Sequence, residues 1–216
     1  MQIQFIGKSL VAVLLASQLS ACGILAVGGV AAGASVMADR RTPGVQAIDN
    51  GIEMEANAAL SKRFGDNAHI NVTSFNQKVL LTGEAKDADI KGEAGTYVKA
   101  MKNARTVFNE IVIGPNSTYT ARANDSYLES KIKTQMIFTD KLPSNSMSIV
   151  AEGTSIYLMG ILTQNEADLA KKVASNTNGV KDVYVYFDII SDAEKNRLEK
   201  QGKAEESQPN SPPKFQ

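Results

Sequence analysis

Between residues 45 and 190 the chain carries the same alternation of apolar and polar positions twice. Ile52, Ala56 and Leu60 recur at i, i+4 and i+8, as do Leu128, Ile132 and Met136, which is the spacing of one buried helical stripe. Two short strand-like runs follow each stripe: Ile70–Thr73 and Lys78–Gly83 in the first copy, Met147–Val150 and Ser155–Gly160 in the second, at an offset of 77. A second helical stretch comes next, about 89–103 in one copy and 165–176 in the other. Asn165 is the expected cap of the latter and Gly179 its expected close. An apolar strand ends each copy, 107–113 and 183–190. The order is α-β-β-α-β, twice.

Short turns, Phe75-Asn76-Gln77 and Glu152-Gly153-Thr154, let the first two strands of each copy form a hairpin. The last strand reaches the sheet by crossing over through the second helix. The expected fold class is therefore α+β: two tandem α-β-β-α-β domains, each a three-stranded mixed sheet with two helices on one face. The expected domains are 45–114 and 125–190, joined by a Pro/Asn/Ser linker over 115–124. The tail, 191–216, is rich in Gln, Asn, Ser and Pro and reads as a fraying helix followed by disorder.

The N-terminus has a different pattern. Lys8 is the only charge before Asp39, and the apolar run Leu10–Ala16 follows it. Then comes Leu19-Ser20-Ala21-Cys22, which ends on the only cysteine of the chain. A basic start, a short apolar core and small residues at the cut mark an export signal, here residues 1–21. Leu-Ser-Ala-Cys resembles a bacterial lipobox, in which the signal is removed before a cysteine whose thiol carries diacylglycerol. An uncleaved membrane anchor or a buried cysteine is the competing reading. One acyl chain anchors marginally and stable attachment needs at least two; the three chains of bacterial lipoproteins make a durable anchor. By the same resemblance, Gly23 after the cysteine favours the outer membrane. Residues 22–44, rich in Gly and Ala, read as the lipidated tether.

Composition narrows the function. The 216 residues hold 23 Lys+Arg and 23 Asp+Glu, so there is no basic excess of the kind that binds nucleic acid by bulk charge. One Cys and one His exclude a disulfide framework and a multi-cysteine zinc site. No nucleophile pattern surrounds His69, which reads as a surface or edge residue. Asp87 and Asp89 read as acids at a helix start. Gly92, Gly95 and Gly114 form no phosphate-binding loop. No catalytic constellation and no cofactor is implied.

The runs Ala59-Leu60-Ser61-Lys62, Ile70-Asn71-Val72-Thr73, Lys78-Val79-Leu80-Leu81-Thr82-Gly83, Asn109-Glu110-Ile111, Met159-Gly160 and Gly179-Val180-Lys181 lie in the order found in BON domains. With the duplication and the lipobox, the chain resembles the DolP family of dual-BON outer-membrane lipoproteins over about residues 40–190. The resemblance implies a non-enzymatic protein, lipid-anchored in the outer membrane and facing the periplasm. It also implies binding of anionic phospholipid (phosphatidylglycerol or cardiolipin) by the second domain. Roles in envelope integrity, at division sites and in regulating septal peptidoglycan cleavage follow from it too.

The first helices of the two copies superpose at an offset of 76. At about 100° per residue, Tyr127 and Ile137 fall about 140° to either side of the middle of the core stripe. Between them lie Ser130 and Thr134, with Phe138 nearby and Lys131 and Lys133 at the flanks. The first copy has Gly51, Glu55, Asn57 and Ser61 at the slots of Tyr127, Lys131, Lys133 and Ile137. Apolar residues flanked by lysine suit a phospholipid interface. In the family, lipid contact maps to this helix, and its aromatic, basic and aliphatic positions match Tyr127, Lys133 and Ile137. The expected phospholipid-binding residues are Tyr127, Ser130, Lys131, Lys133, Thr134, Ile137 and Phe138. Two alternatives stay open. Ile137 and Phe138 could pack under the first copy or the linker. The protein could instead be an adaptor for an amidase regulator or the outer-membrane assembly machinery, without direct lipid binding.

The anchor has its own test. Cys22→Ala should abolish lipid attachment and move the protein from the membrane to the soluble periplasmic fraction; retention on membranes at high salt would contradict the lipobox.

Overall fold

The computed structural model describes residues 39–206. Cys22, the signal segment, most of the expected tether and the end of the tail therefore lie outside the described residues. The first copy comprises α1 (Pro43–Phe64), β1 (Ala68–Phe75), β2 (Lys78–Ala85), α2 (Ala88–Lys99), β3 (Thr106–Asn109) and β4 (Val112–Ile113). The second comprises α3 (Tyr119–Ile137), β5 (Met147–Glu152), β6 (Ser155–Leu162), α4 (Gln164–Ser175) and β7 (Asp182–Ile189), and a last helix, α5, spans Asp192–Glu206. In each sheet the middle strand pairs antiparallel with the strand before it and parallel with the strand after the crossover helix.

The α1 helix starts where Thr42 accepts from the Val45 backbone and Pro43 takes the first helical position. It buries Ile52, Ala56 and Leu60, the stripe read from the spacing. The β1–β2 turn is only Asn76–Gln77, both left-handed at φ 54 and 64, with no glycine to ease it. Buried Asp49 of α1 compensates. Its carboxylate accepts from the backbone N–H of Asn76 (2.8 Å) and Gln77 (2.7 Å) and from the Ser74 hydroxyl (2.8 Å). Arg41 closes over it at 2.9 Å. Asp125, 76 residues on, repeats the device: it is buried and accepts from the backbone of Gly153 in the β5–β6 turn. Gly83, at φ 100, is required, because a Cβ there would stand 2.0 Å from the His69 carbonyl oxygen.

Several boundaries differ from the sequence reading. The expected strand 107–113 is two pieces, β3 and β4, because Ile111 turns into the first core between them. Thr163, not Asn165, caps α4: it forms a capping box in which Glu166 accepts from the Thr163 backbone at 2.8 Å. The expected linker 115–124 is mostly helix. Thr118 caps α3, which begins at Tyr119, and the short connection is pinned by Ser117 N–H donating to Glu84 and by Asn116 donating to the Asp66 carbonyl. The tail, expected to be a fraying helix followed by disorder, is the helix α5 up to Glu206, and its Leu198 packs on a core shared by both copies. Residues 39–42, just ahead of α1, are held to the fold. Arg40 is buried against the second copy, donating to both carboxylate oxygens of Glu166 (2.7 and 2.9 Å), to Glu199 (2.9 Å) and to the Ile161 carbonyl (2.9 Å). Burial alone would raise the Glu166 carboxyl, but the bonds from Arg40, the Thr163 backbone and Lys195 override it and hold it at about 2.

The shared core follows from the pleat. One face of each sheet meets its own two helices, around Val79 and Leu81 in the first copy and Ile156 and Leu158 in the second. Alternate residues point the other way, and there the two sheets meet each other. Phe75, Leu80 and Phe108 of the first copy pack with Tyr157, Met159, Ile161 and Tyr186 of the second. Phe108 and Tyr186 stack at 4.1 Å between ring centroids, and the Tyr186 hydroxyl donates to Glu110 at 2.7 Å. At one end of the contact Lys78 pairs with Asp188 at 2.7 Å. The layers therefore run helices, sheet, sheet, helices.

A shared core makes the copies one folding unit, not two joined by a cuttable linker. Heat or denaturant should give a single transition by probes in either copy. Leu80→Ala should lower it by about 2–5 kcal/mol for both copies together. Two separated transitions, or a stable first copy after proteolysis near residue 120, would contradict this.

Candidate membrane-binding face

The α3 helix lies on β5, with Leu128, Ile132 and Met136 in the second core. Among the described residues, its opposite side meets no other element through its large apolar residues. Tyr127 is 66% exposed, Phe138 77% and Ile137 39%, and Ser130 and Thr134 are exposed between them. Neither the first copy nor the connection covers Ile137 and Phe138, because the first copy docks on the far face of the sheet. Tyr127, Ser130, Thr134, Ile137 and Phe138 therefore lie exposed on one side of α3 and its C-terminal end.

The sequence reading missed Tyr119. Residues 115–124 were assigned to a linker, so the first turns of α3 were not placed on the helix. Tyr119 is 88% exposed and stands 18 residues before Ile137, five full turns, so the two share one angle on the helix. The outer stripe then holds Tyr119, Ala123, Tyr127, Ser130, Thr134, Ile137 and Phe138 and runs the helix's length, about 27 Å at 1.5 Å per residue, without a charge. The Arg122 guanidinium stacks over the Tyr119 ring at 5.3 Å and also donates to the Ser117 carbonyl at 2.8 Å, fixing the N-terminal end.

The lysines at the flanks are half-buried and hold the helix to its own domain. Lys131 donates to the Asn178 carbonyl at 3.1 Å, and Lys133 donates to the Ser144 carbonyl. Burial pulls the Lys133 ammonium below its usual range, against the raising effect of Asp39 and Glu129. Lys133 also lines an open groove with Glu129, Ser130 and Thr134 of α3 and Met147, Ser148 and Ile149 of β5. Asn57, at the same slot of α1, instead exchanges two hydrogen bonds with the Val72 backbone. In copy one that outer side carries Gly51, Glu55 and Ser61 beside a single exposed Met54.

The other candidate groups stay structural. His69 is on β1, half-buried, 3.9 Å from Glu84; burial and Arg122 lower its pKa against Glu84. Asp87 caps α2 by accepting from Ile90 N–H at 2.9 Å. Among the described residues, no group of three or more His, Cys, Asp or Glu could hold a metal ion, and no helix is long and apolar enough to cross a membrane.

The BON-domain family matches the chain twice, over residues 49–115 and 124–190. This chain belongs to the BON-domain family and carries the domain twice. Outer membrane lipoprotein DolP of Haemophilus influenzae is 29% identical over 174 residues, which cover 80% of this chain and 90% of that one. A protein of Actinobacillus pleuropneumoniae named 21 kDa hemolysin is 29% identical over 154 residues, 70% of this chain and 79% of its own length. Among solved structures, CdsD of the Chlamydia trachomatis type III secretion system aligns over 69% of this chain and 68% of its own, at 14% identity and a TM-score of 0.27. The two BON matches begin at Asp49 and one residue before Asp125, the two buried aspartates that hold the hairpin turns.

Proposed function

We propose that this dual-BON chain is a non-enzymatic outer-membrane lipoprotein of the cell envelope, anchored through Cys22, that binds anionic phospholipid through the outer face of α3. The observation that carries the reading is the uncharged stripe from Tyr119 to Phe138, exposed along a whole helix while the first copy's equivalent is polar. Aromatic and aliphatic side chains at both ends suit the depth at which a helix lies flat in a headgroup layer. Lys131, Lys133 and Arg122 stand at its flanks, and each cation near an anionic surface contributes about 1 kcal/mol. The groove beside Lys133 offers the Ser130 and Ser148 hydroxyls next to that ammonium, chemistry that suits a phosphodiester headgroup. Its Glu129 carboxyl is raised by burial, against the Ala151 backbone bond and Lys133. Phosphatidylglycerol and cardiolipin are the expected lipids. Support of envelope integrity, at division sites and through regulation of septal peptidoglycan cleavage, is the role we infer from the likeness to DolP.

Vesicle co-sedimentation of the chain tests the reading. Ile137→Glu should weaken binding to phosphatidylglycerol vesicles at least tenfold, since it removes an aliphatic group whose burial contributes about 1.5–3 kcal/mol and inserts a charge. It should leave the unfolding midpoint nearly unchanged. Tyr119→Ser should weaken binding too, and Ser61→Glu on the first copy should do little. Lys131→Gln should matter more on anionic than on neutral vesicles, with added salt shrinking the difference. Undiminished binding by a folded Ile137→Glu variant would move the function to the adaptor reading.

A further inference from the structure

The contact between the two sheets is apolar at its centre and ion-paired at one end, but its other end is different. There Glu152, the last residue of β5, enters from the second domain with its side chain on the face toward the first, since it shares the pleat with Val150 of the shared core. On the facing sheet Asn71 and Thr82 are register partners, as are His69 and Glu84 two pairs further on, on the same face. Glu152 thus meets Thr82 and Asn71, with Glu84 of β2 and Asp125 of α3 as the charges that act on it. Its Oε2 is buried without a hydrogen-bond partner, and Thr82, though it stands close enough to steady a charged carboxylate, makes no well-directed bond through Oγ1. The remaining charged groups of the junction are engaged elsewhere: Arg122 with Ser117, and Glu84 with the Ser117 backbone. Among the described residues no cation pairs with Glu152. Desolvation and the two neighbouring acids push its carboxyl up to about 7.

We propose that Glu152 makes the junction between the two BON domains a proton-sensitive clasp. Protonated, its carboxyl fits the space between Thr82 and Asn71 as a neutral group. Ionised, it sets a third carboxylate beside Glu84 and Asp125 and loosens the edge where β1 meets β5, while the apolar centre of the contact holds. This goes beyond lipid binding and does not depend on it.

A carboxyl raised in the folded state stabilises the fold below its unfolded value, and that stability is lost as pH rises to the folded value. For Glu152 the window runs from the ordinary 4.5 to about 7. Asp125 is raised by burial and acts in the same sense at lower pH, whereas His69, lowered by burial, acts in the opposite sense. The difference between the wild-type chain and Glu152→Gln isolates Glu152, because the other groups are common to both. Glutamine mimics the neutral acid. The two proteins should melt together at pH 4.5, and the variant should melt about 2–8 °C higher at pH 7.5. At pH 7.5, amide exchange at residues 69–73 and 148–152, corrected for its intrinsic rate, should be several-fold slower in the variant, with the centre of β6 unchanged. Glu84→Gln should raise the wild-type melting point at pH 7.5 and not at pH 4.5, which keeps the test decisive if Glu152→Gln does not fold. A difference independent of pH would reduce Glu152 to a packing residue and overturn the proposal. So would coincident melting at both pH values, or equal exchange at the two strand edges.

Discussion

A three-stranded sheet with two helices on one side has a second face, and in this chain that face is apolar. Leu80 and Phe108 on one sheet, Tyr157, Met159 and Tyr186 on the other, have nowhere to go but against each other. At about 25 cal/mol per Å² of apolar surface, two sheet faces left in water would remove much of the stability that units of this size can gather. The duplication is therefore a structural requirement: each copy supplies the layer that the other lacks. The terminal segments close the same contact. Arg40 ahead of α1 donates to both Glu166, in the capping box of α4, and Glu199 on α5, and Leu198 adds to the shared core.

This pairing decides what remains for function. Once the inner faces of the sheets are used on each other, the helices are forced outward, and the outer side of α3 keeps Tyr119, Tyr127 and Phe138 exposed among the described residues. A face covered by the first copy would have argued for packing. Tyr127 and Phe138, both mostly exposed, do not touch it. The asymmetry between the copies then carries the functional argument, because α1 and α3 do the same structural work, down to the buried aspartate that holds each hairpin turn, and differ on the outside.

Much of this was legible in the sequence. The repeated spacing gave the core stripes of α1 and α3, the strand pairs and the α-β-β-α-β order, and comparison of equivalent slots singled out Tyr127, Lys133 and Ile137. Periodicity reports burial, but it does not say against what. Leu80 and Tyr157 look like core residues of their own domains, and only the pleat shows that they face a second sheet. The boundaries failed where local composition opposed tertiary context. Pro115, Asn116 and Ser117 suggested a long linker, yet Thr118 caps a helix at once, which hid Tyr119. The polar stretch after Ser191 suggested a fraying helix, yet Leu198, Lys195 and Glu199 tie it down. The charges on Arg40 and Glu152 gave no sign of burial, because a lone charged residue in a sequence reads as solvated until its neighbours are known.

The central claim is that the sheets are spent on each other and the outer face of α3 is free for the membrane. Hydrogen exchange of the whole chain, with and without phosphatidylglycerol vesicles, tests it directly. The account predicts strong protection of β2 and β6 in both conditions and new protection on lipid addition confined to residues 119–138 and the adjoining strand β5. Protection appearing instead on β2 and β6 only when lipid is present, or none along α3, would contradict it.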